Sequence, residues 1–164
     1  MIDSTNDIPS PGDAPDRWLP ALTEILDEQE HITAELESLS VAQAALIERS
    51  ATDELLTLLG RRQELLDAAL ASARRIEPFV AQWDAFMGAL PDTERSVSVA
   101  RVRTIQDRID RIGSRDEKDR ADLAKQRSAL TSELASVGHS RGAIAAYASP
   151  ESRTTNPRFQ DREG

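Results

Sequence analysis

The chain has 164 residues and no cysteine, and 39% of its residues are hydrophobic but only 4% are aromatic. Few wide side chains are therefore available for a compact core, whereas 30% charged residues and apolar residues at helical spacing are typical of long helices and coiled coils. The composition predicts an all-α protein and is too apolar and too periodic for full disorder.

The charge of the chain is acidic and unevenly distributed. A net charge of -9 argues against a nucleic-acid partner, because binding phosphates requires a concentrated basic surface. Residues 1–90 contain 17 acidic and 6 basic residues, whereas residues 91–164 contain 12 and 14. These opposite charges either attract the two parts to each other as neighbouring helices or give the C-terminal part a separate partner.

Both ends of the chain are predicted to be disordered. Residues 1–16 are rich in proline and aspartate and residues 149–164 are polar, so neither segment buries enough apolar area to offset chain entropy. The acidic N-terminus does not resemble a signal peptide, and no stretch approaches the roughly 20 apolar residues that span a bilayer. We therefore expect a cytoplasmic protein without stable membrane insertion.

Three helices are predicted in one domain at residues 17–148, and they span about residues 17–49, 53–88 and 93–147. In the first helix the core-facing residues follow alternating steps of three and four and are Leu22, Ile25, Gln29, Ile32, Leu36, Leu39, Gln43 and Leu46. The polar Gln29 and Gln43 are expected to fix the register of the helices. Short connections then predict an elongated antiparallel three-helix bundle or coiled coil.

The second helix is expected to begin with a side-chain cap in residues 50–53 (SATD) and to kink near Pro78, which removes a backbone donor. Its end is expected near Gly88, before Pro91 and Asp92 begin the third helix. The predicted core-facing residues are Leu55, Leu59, Arg62, Leu66, Ala69, Ala73, Ile76, Val80, Trp83, Met87 and Leu90.

The third helix has an interrupted apolar pattern. Apolar residues run from Val102 to Ile112, are lost over the next ten residues and resume at Leu123. Gly113, followed by a capping-box sequence, would split this segment into two helices and give a fourth element. We favour one continuous or slightly bent helix, because eleven residues make three turns and one glycine costs only about 1 kcal/mol. Pairing with the second helix would then leave roughly residues 129–147 unpaired.

No common catalytic site is found in the sequence. The two histidines, His31 and His139, lie in no recognisable triad, and the usual nucleotide and zinc motifs are absent. Glu28 and His31 form an ExxH pattern, but a di-iron bundle needs a second such pair and two further glutamates. We therefore expect no enzyme activity, no cofactor and no metal, and we interpret Arg61 and Arg62 as intramolecular salt-bridge partners.

Two stretches carry a family resemblance. Residues 58–66 (LLGRRQELL) fit an LLxxRxxLL-like run, and Asp116, Glu117 and Arg120 fit an acidic DExxR-like pattern in the last helix. A tyrosine, Tyr147, lies near the end of that helix. On these motifs, residues 18–148 resemble the FlgN-type flagellar export chaperones, which are small acidic helical proteins of the bacterial flagellar secretion system.

The resemblance implies a cytoplasmic chaperone of flagellar type III export. Such a protein would bind the C-terminal segment of hook-filament junction subunits, as an amphipathic helix, and deliver it to the export gate protein. The residues expected to bind partners are Leu123, Leu130, Leu134, Val137 and Ile144, with Tyr147 directed toward the export gate. Two alternatives are that these residues belong to the core of the bundle, and that the protein is a structural or adaptor coiled coil that forms a homodimer.

Overall fold

The computed structural model describes residues 9–148, which form four helices and no strand. Helix α1 spans Pro15–Glu48, α2 spans Thr52–Val80, α3 spans Trp83–Gly88 and α4 spans Asp92–Ala148. The predicted all-α bundle is therefore confirmed.

The chain divides into two units, Met1–Leu123 and Ala124–Gly164, where the sequence predicted one helical domain over residues 17–148. Helix α4 contributes residues to both units. Residues 149–164, predicted to be a disordered tail, lie outside the described residues, as do residues 1–8 of the predicted lead.

Helix α1 begins at Pro15, two residues before its predicted start, because the first helical position needs no N–H and suits proline. A turn precedes it, in which the Asp13 N–H donates to the Ser10 carbonyl at 3.0 Å. The indole Nε1 of Trp18 donates to the Asp13 carbonyl at 3.2 Å and so ties this turn to α1. The described part of the predicted disordered lead is therefore ordered.

A left-handed residue, Ser50, joins α1 to α2 with a φ of 54°. The N–H groups of Ser50 and Ala51 donate to the carbonyls of Ile47 and Leu46 at 3.1 and 3.0 Å. This is the Schellman pattern, which satisfies the last carbonyls of a helix. The side-chain cap predicted in residues 50–53 is wrong, because Ala51 occupies the capping position of α2 and Ser50 serves to end α1.

The helix is interrupted shortly after Pro78. Helix α2 continues only to Val80, residues 81–82 form a turn, and α3 begins at Trp83. The prediction of one kinked helix to residue 88 is therefore wrong. The turn at residues 81–82 redirects the chain and brings Phe86 into the core.

The larger core cluster is built around three aromatic rings. Trp18, Phe79 and Phe86 are buried, and their ring centroids lie 4.8 to 6.4 Å apart in tilted or edge-on geometry. Such pairs contribute about 0.5–1.5 kcal/mol beyond their buried area. The cluster is completed by Leu22, Ile25, Leu26, Met87, Leu90 and Ile105. It therefore joins α1, α2 and α3 to the first part of α4.

Helix α1 is acidic on two flanks and pairs with arginines from both neighbours. The contacts with α2 include Arg61 Nη2 to Glu35 Oε1 at 2.7 Å and Arg75 Nη1 to Glu28 Oε2 at 2.7 Å. The contacts with α4 include Arg101 Nε to Glu30 Oε1 at 2.9 Å and Arg111 Nε to Glu37 Oε1 at 2.7 Å. The order of these pairs makes α2 antiparallel to α1, and residues 92–123 of α4 parallel to it. Attraction between the two differently charged parts of the sequence therefore operates within the bundle.

A buried polar layer links the three long helices. The guanidinium of Arg62 donates to Asp116 Oδ1 and Oδ2 at 2.8 and 2.7 Å, and to Gln43 Oε1 at 2.6 Å. The amide of Gln43 in turn donates to Asp119 Oδ2 at 2.8 Å. The interpretation of Arg61 and Arg62 as intramolecular partners is confirmed. The layer also places Gln43 where a polar core residue can set the register.

Helix α4 passes through Gly113 without a break, which is the continuous alternative. The backbone at Gly113 is not left-handed, and a Cβ atom there would meet no atom within 4 Å. Nothing in the described structure therefore requires glycine at this position.

The Gly113→Ala variant is expected to raise the free energy of unfolding by about 1 kcal/mol, because alanine loses less chain entropy in a helix. Denaturant unfolding followed by circular dichroism measures this change. A loss of stability would instead indicate a left-handed helix end at Gly113, where alanine is strained.

The Arg62→Met variant is expected to lose about 2 kcal/mol of stability, because it leaves the half-buried Asp116 carboxylate and the buried Gln43 side-chain oxygen without their donor. Arg61→Met removes a neighbouring but exposed arginine and should cost less than about 1 kcal/mol. Equal losses in these two variants, measured by denaturant unfolding, would contradict the role of the buried layer.

The pKa of Glu37 lies below its ordinary value, chiefly because Arg111 donates a hydrogen bond to the carboxylate. The stabilising contribution of Glu37 is therefore present above its unfolded pKa and is lost as the pH falls through its folded pKa. In Arg111→Gln the pKa of Glu37 should rise toward its ordinary value, as measured by NMR titration of the carboxyl carbon. Arg103→Gln removes an exposed arginine of the same helix and should leave the pKa of Glu37 unchanged. A similar rise of this pKa in both variants would show that the contact with Arg111 is not its cause.

Candidate partner-binding surface

Residues 124–147 of α4 form a helical segment in which every side chain is exposed. The segment carries a stripe of apolar residues, here called the C-terminal stripe, formed by Leu130, Leu134, Val137 and Ile144. These side chains are 49% to 67% exposed, and Tyr147 is 94% exposed. Because helical positions three, four and seven residues apart share a face, the four residues line one side of the segment. None of the four belongs to either buried core cluster of the described residues, and their role in binding a partner stays a prediction.

Leu123, the remaining residue of the predicted site, lies in the other unit and is 42% exposed. It lines a groove of about 390 Å³ together with Leu59 and Leu66 of α2. The groove also borders Arg62 and Asp116, so its floor is the buried polar layer described above. The sequence motifs LLxxRxxLL and DExxR therefore meet at one place in the bundle.

Six of the seven leucines of α2 occur as adjacent pairs, and one member of each pair is exposed; the seventh, Leu70, is also exposed. Leu65 is buried whereas Leu66 is 46% exposed, and the exposed residues Leu56 and Leu59 each follow a half-buried leucine. Adjacent residues on a helix point about 100° apart, so both members of a pair cannot face one core. The doublets therefore mark a helix with two apolar faces, only one of which the bundle covers.

The predicted core-facing residues of α2 form two columns along the helix, each with a spacing of seven residues. One column was predicted correctly and the other wrongly. Leu55, Arg62, Ala69 and Ile76 face inward as predicted, and all are buried or half-buried. The second inward column consists of Leu58, Leu65, Ser72 and Phe79, whereas the residues predicted for it, Leu59, Leu66, Ala73 and Val80, are exposed. Phe79 determines which of the two columns faces inward, because its ring packs against Trp18 and Phe86.

The exposed column of α2, formed by Leu59, Leu66, Ala73 and Val80, contributes Val80 to a second groove between α2 and α4, here called the Trp83 groove. Its volume is about 660 Å³, and its apolar lining consists of Ile76, Val80, Trp83, Val99, Val102, Ile105 and Ile109. Val80, Val99 and Ile109 are between 47% and 59% exposed, which is unusual for three large apolar side chains around one groove. This surface was not predicted from the sequence, and the exposed apolar column of α2 is the signal that could have found it.

The residues of the ExxH pattern point to no metal centre in the structure. His31 is exposed and lies 3.7 Å from Glu35, while Glu28 is paired with Arg75. His139 is exposed on the C-terminal segment of α4. Among residues 9–148, no cluster of three or more His, Asp or Glu side chains is placed to hold a metal ion. Glu28 and Glu35 are instead paired with Arg75 and Arg61 of α2.

No helix in the described part of the chain is both long and apolar enough to cross a membrane. Comparisons of the chain with protein-family models, with curated proteins and with solved structures found no match. The FlgN-type resemblance therefore stays a prediction from the sequence motifs alone.

Proposed function

We propose that this protein is a cytoplasmic chaperone of bacterial flagellar type III export, as its resemblance to FlgN-type chaperones implies. Its client would be the C-terminal segment of a hook-filament junction subunit, which it keeps unassembled and delivers to the export gate. The observation that supports this proposal most is the exposure of residues 124–147, which carry an apolar stripe that the buried core does not use.

In this proposal the client segment binds as an amphipathic helix along the C-terminal stripe. Each large apolar side chain that becomes buried contributes about 1.5–3 kcal/mol, and the ordering of the client opposes part of that gain. Four stripe residues therefore support moderate, reversible binding, which suits a protein that must release its client. The protein acts by binding alone, without catalysis, cofactor or metal.

Tyr147 is the proposed contact with the export gate protein. Its ring is almost fully exposed at the end of the described helix, and a tyrosine offers both an apolar face and a hydroxyl group to a partner. A site beyond the stripe would let the chaperone hold its client and contact the gate at the same time.

The proposal is tested by titrating the C-terminal segments of the hook-filament junction subunits from the same bacterium into the full chain in a calorimeter. We expect binding to the unaltered chain and at least about tenfold weaker binding to Leu130→Glu/Leu134→Glu, because a carboxylate would be buried without a partner.

The matched control is Ser128→Glu/Ser132→Glu, which adds the same two charges at the same spacing on the opposite face of the helix. This variant should bind as the unaltered chain does. Absence of binding by the unaltered chain, or equal weakening in both variants, would overturn the proposal.

A further inference from the structure

The groove lined by Leu59, Leu66 and Leu123, here called the Leu123 groove, has the residue spacing of a site for a further helix. Helix α2 contributes four residues from Leu59 to Leu66 and α4 contributes four from Asp116 to Leu123, in both cases at positions i, i+3, i+4 and i+7. In helix bundles, four residues of one helix form the hole that accepts a side chain from a neighbouring helix. Each side of the groove therefore offers such a hole, and its three leucines are 42% to 46% exposed.

A buried carboxylate on the floor of the groove, that of Asp119, has no charged partner. Asp119 is only 4% exposed, and its Oδ2 accepts one hydrogen bond from the amide of Gln43 at 2.8 Å. No other described residue donates to it. Within residues 9–148, the enclosed side-chain oxygens that lack a partner are those of Ser40 and Ser72. The Oδ1 atom of Asp119 is therefore not sealed inside the bundle, and it faces the groove that the residue lines.

The polar layer beneath the groove contains two carboxylates but one guanidinium. Arg62 directs both of its terminal nitrogens to Asp116, so this cation is already engaged. Buried carboxylates are normally paired with a cation or with several donors, because an unpaired one loses its hydration without compensation. The layer therefore lacks one positive charge, and the open oxygen of Asp119 is the place where a cation can bind.

Arg120 is the basic residue at the rim of the groove, but it does not supply this charge. It follows Asp119 directly, so the two side chains point about 100° apart around α4. Arg120 is exposed and forms no ion pair with any residue that the structure describes. The position beside Asp119 is therefore open to a cation from a second molecule.

We propose that the Leu123 groove binds an amphipathic helix of a partner protein whose apolar face carries one lysine or arginine, and that this basic side chain pairs with Asp119. The apolar residues of the partner cover Leu59, Leu66 and Leu123. Covering the groove in this way excludes water from the ion pair and so strengthens it. A helix with a neutral or acidic residue at the same position leaves the carboxylate unpaired, so Asp119 discriminates among helices that are equally apolar.

This inference does not rest on the proposed export function. The Leu123 groove lies within the unit Met1–Leu123, whereas the C-terminal stripe lies in the other unit. Variants of the groove therefore leave the residues of the stripe unchanged, and each proposal can fail while the other stands.

The first test is an NMR titration of the full chain with n-butylguanidinium, which has the charged group and apolar stem of an arginine side chain. The control compound is n-butylurea, which has nearly the same shape without the charge. We expect n-butylguanidinium to shift the carboxyl carbon of Asp119 and the methyl groups of the three leucines, with a dissociation constant at least about tenfold lower than that of n-butylurea. In Asp119→Asn the two compounds should bind equally, because asparagine still accepts from Gln43 but carries no charge. Absence of n-butylguanidinium from the groove, or its unchanged binding to Asp119→Asn, would overturn the proposal.

Arg120→Gln tests the alternative that Arg120 itself turns into the groove and pairs with Asp119. We expect this variant to keep the free energy of unfolding of the unaltered chain and to bind n-butylguanidinium at least as tightly. A loss of stability in Arg120→Gln that disappears when Asp119→Asn is also present would show that the two residues pair with each other, which would overturn the proposal.

The second test selects phage-displayed helical peptides, randomised along one face, for binding to the full chain. We expect enrichment of lysine or arginine at one position among apolar residues, and loss of that enrichment in a selection against Asp119→Asn. A selected peptide should bind at least about tenfold more weakly to Leu66→Glu, because the new carboxylate would be buried without a partner. Leu70→Glu is the matched control, because Leu70 is also an exposed leucine of α2 but lies outside the groove. Far-UV circular dichroism verifies that each variant keeps its helices. Failure to enrich a basic residue, or equal weakening in Leu66→Glu and Leu70→Glu, would contradict the proposed site.

Discussion

The buried guanidinium of Arg62 constrains the rest of the bundle. It joins Asp116 of α4 and Gln43 of α1 to α2, so one side chain links the axial positions of the three helices. We expect this layer to favour one register, because sliding α2 by one turn would separate the Arg62 guanidinium from both Asp116 and Gln43. The apolar residues above and below the layer add stability, but many of them could exchange neighbours at small cost. The arginine supplies the specificity that a leucine-rich helix lacks.

That specificity matters because α2 is apolar on two sides. The periodicity of the sequence located the long helices, the inward Arg62 column and the continuous path through Gly113, since these depend on patterns repeated over many turns. The adjacent column was predicted wrongly because Leu58 and Leu65 compete with Leu59 and Leu66 on equal terms. Which column faces inward depends on the contacts of Phe79 with Trp18 of α1 and Phe86 of α3. A local sequence pattern contains no information about such contacts between distant parts of the chain.

Local sequence patterns were also insufficient at the helix ends and for part of the candidate surface. A side-chain cap for α2 was predicted in residues 50–53, but Ser50 adopts a left-handed backbone that ends α1. The type of side chain does not reveal which of these two turn geometries forms. The predicted helix lengths left roughly residues 129–147 without a partner on the second helix, to overhang or to fold onto the first, and the side chains of these residues are exposed in the described structure. The Trp83 groove was not anticipated, since it exists only once the inner column of α2 is known.

The fully exposed segment of α4 has a kinetic consequence. Without buried side chains, residues 124–147 depend on local helix propensity alone, and Gly138 and Gly142 each weaken it by about 1 kcal/mol relative to alanine. Such a helix unwinds and re-forms within microseconds, whereas the packed bundle opens far more slowly. A molecule that covers this face therefore meets a helix that can re-form during the encounter itself.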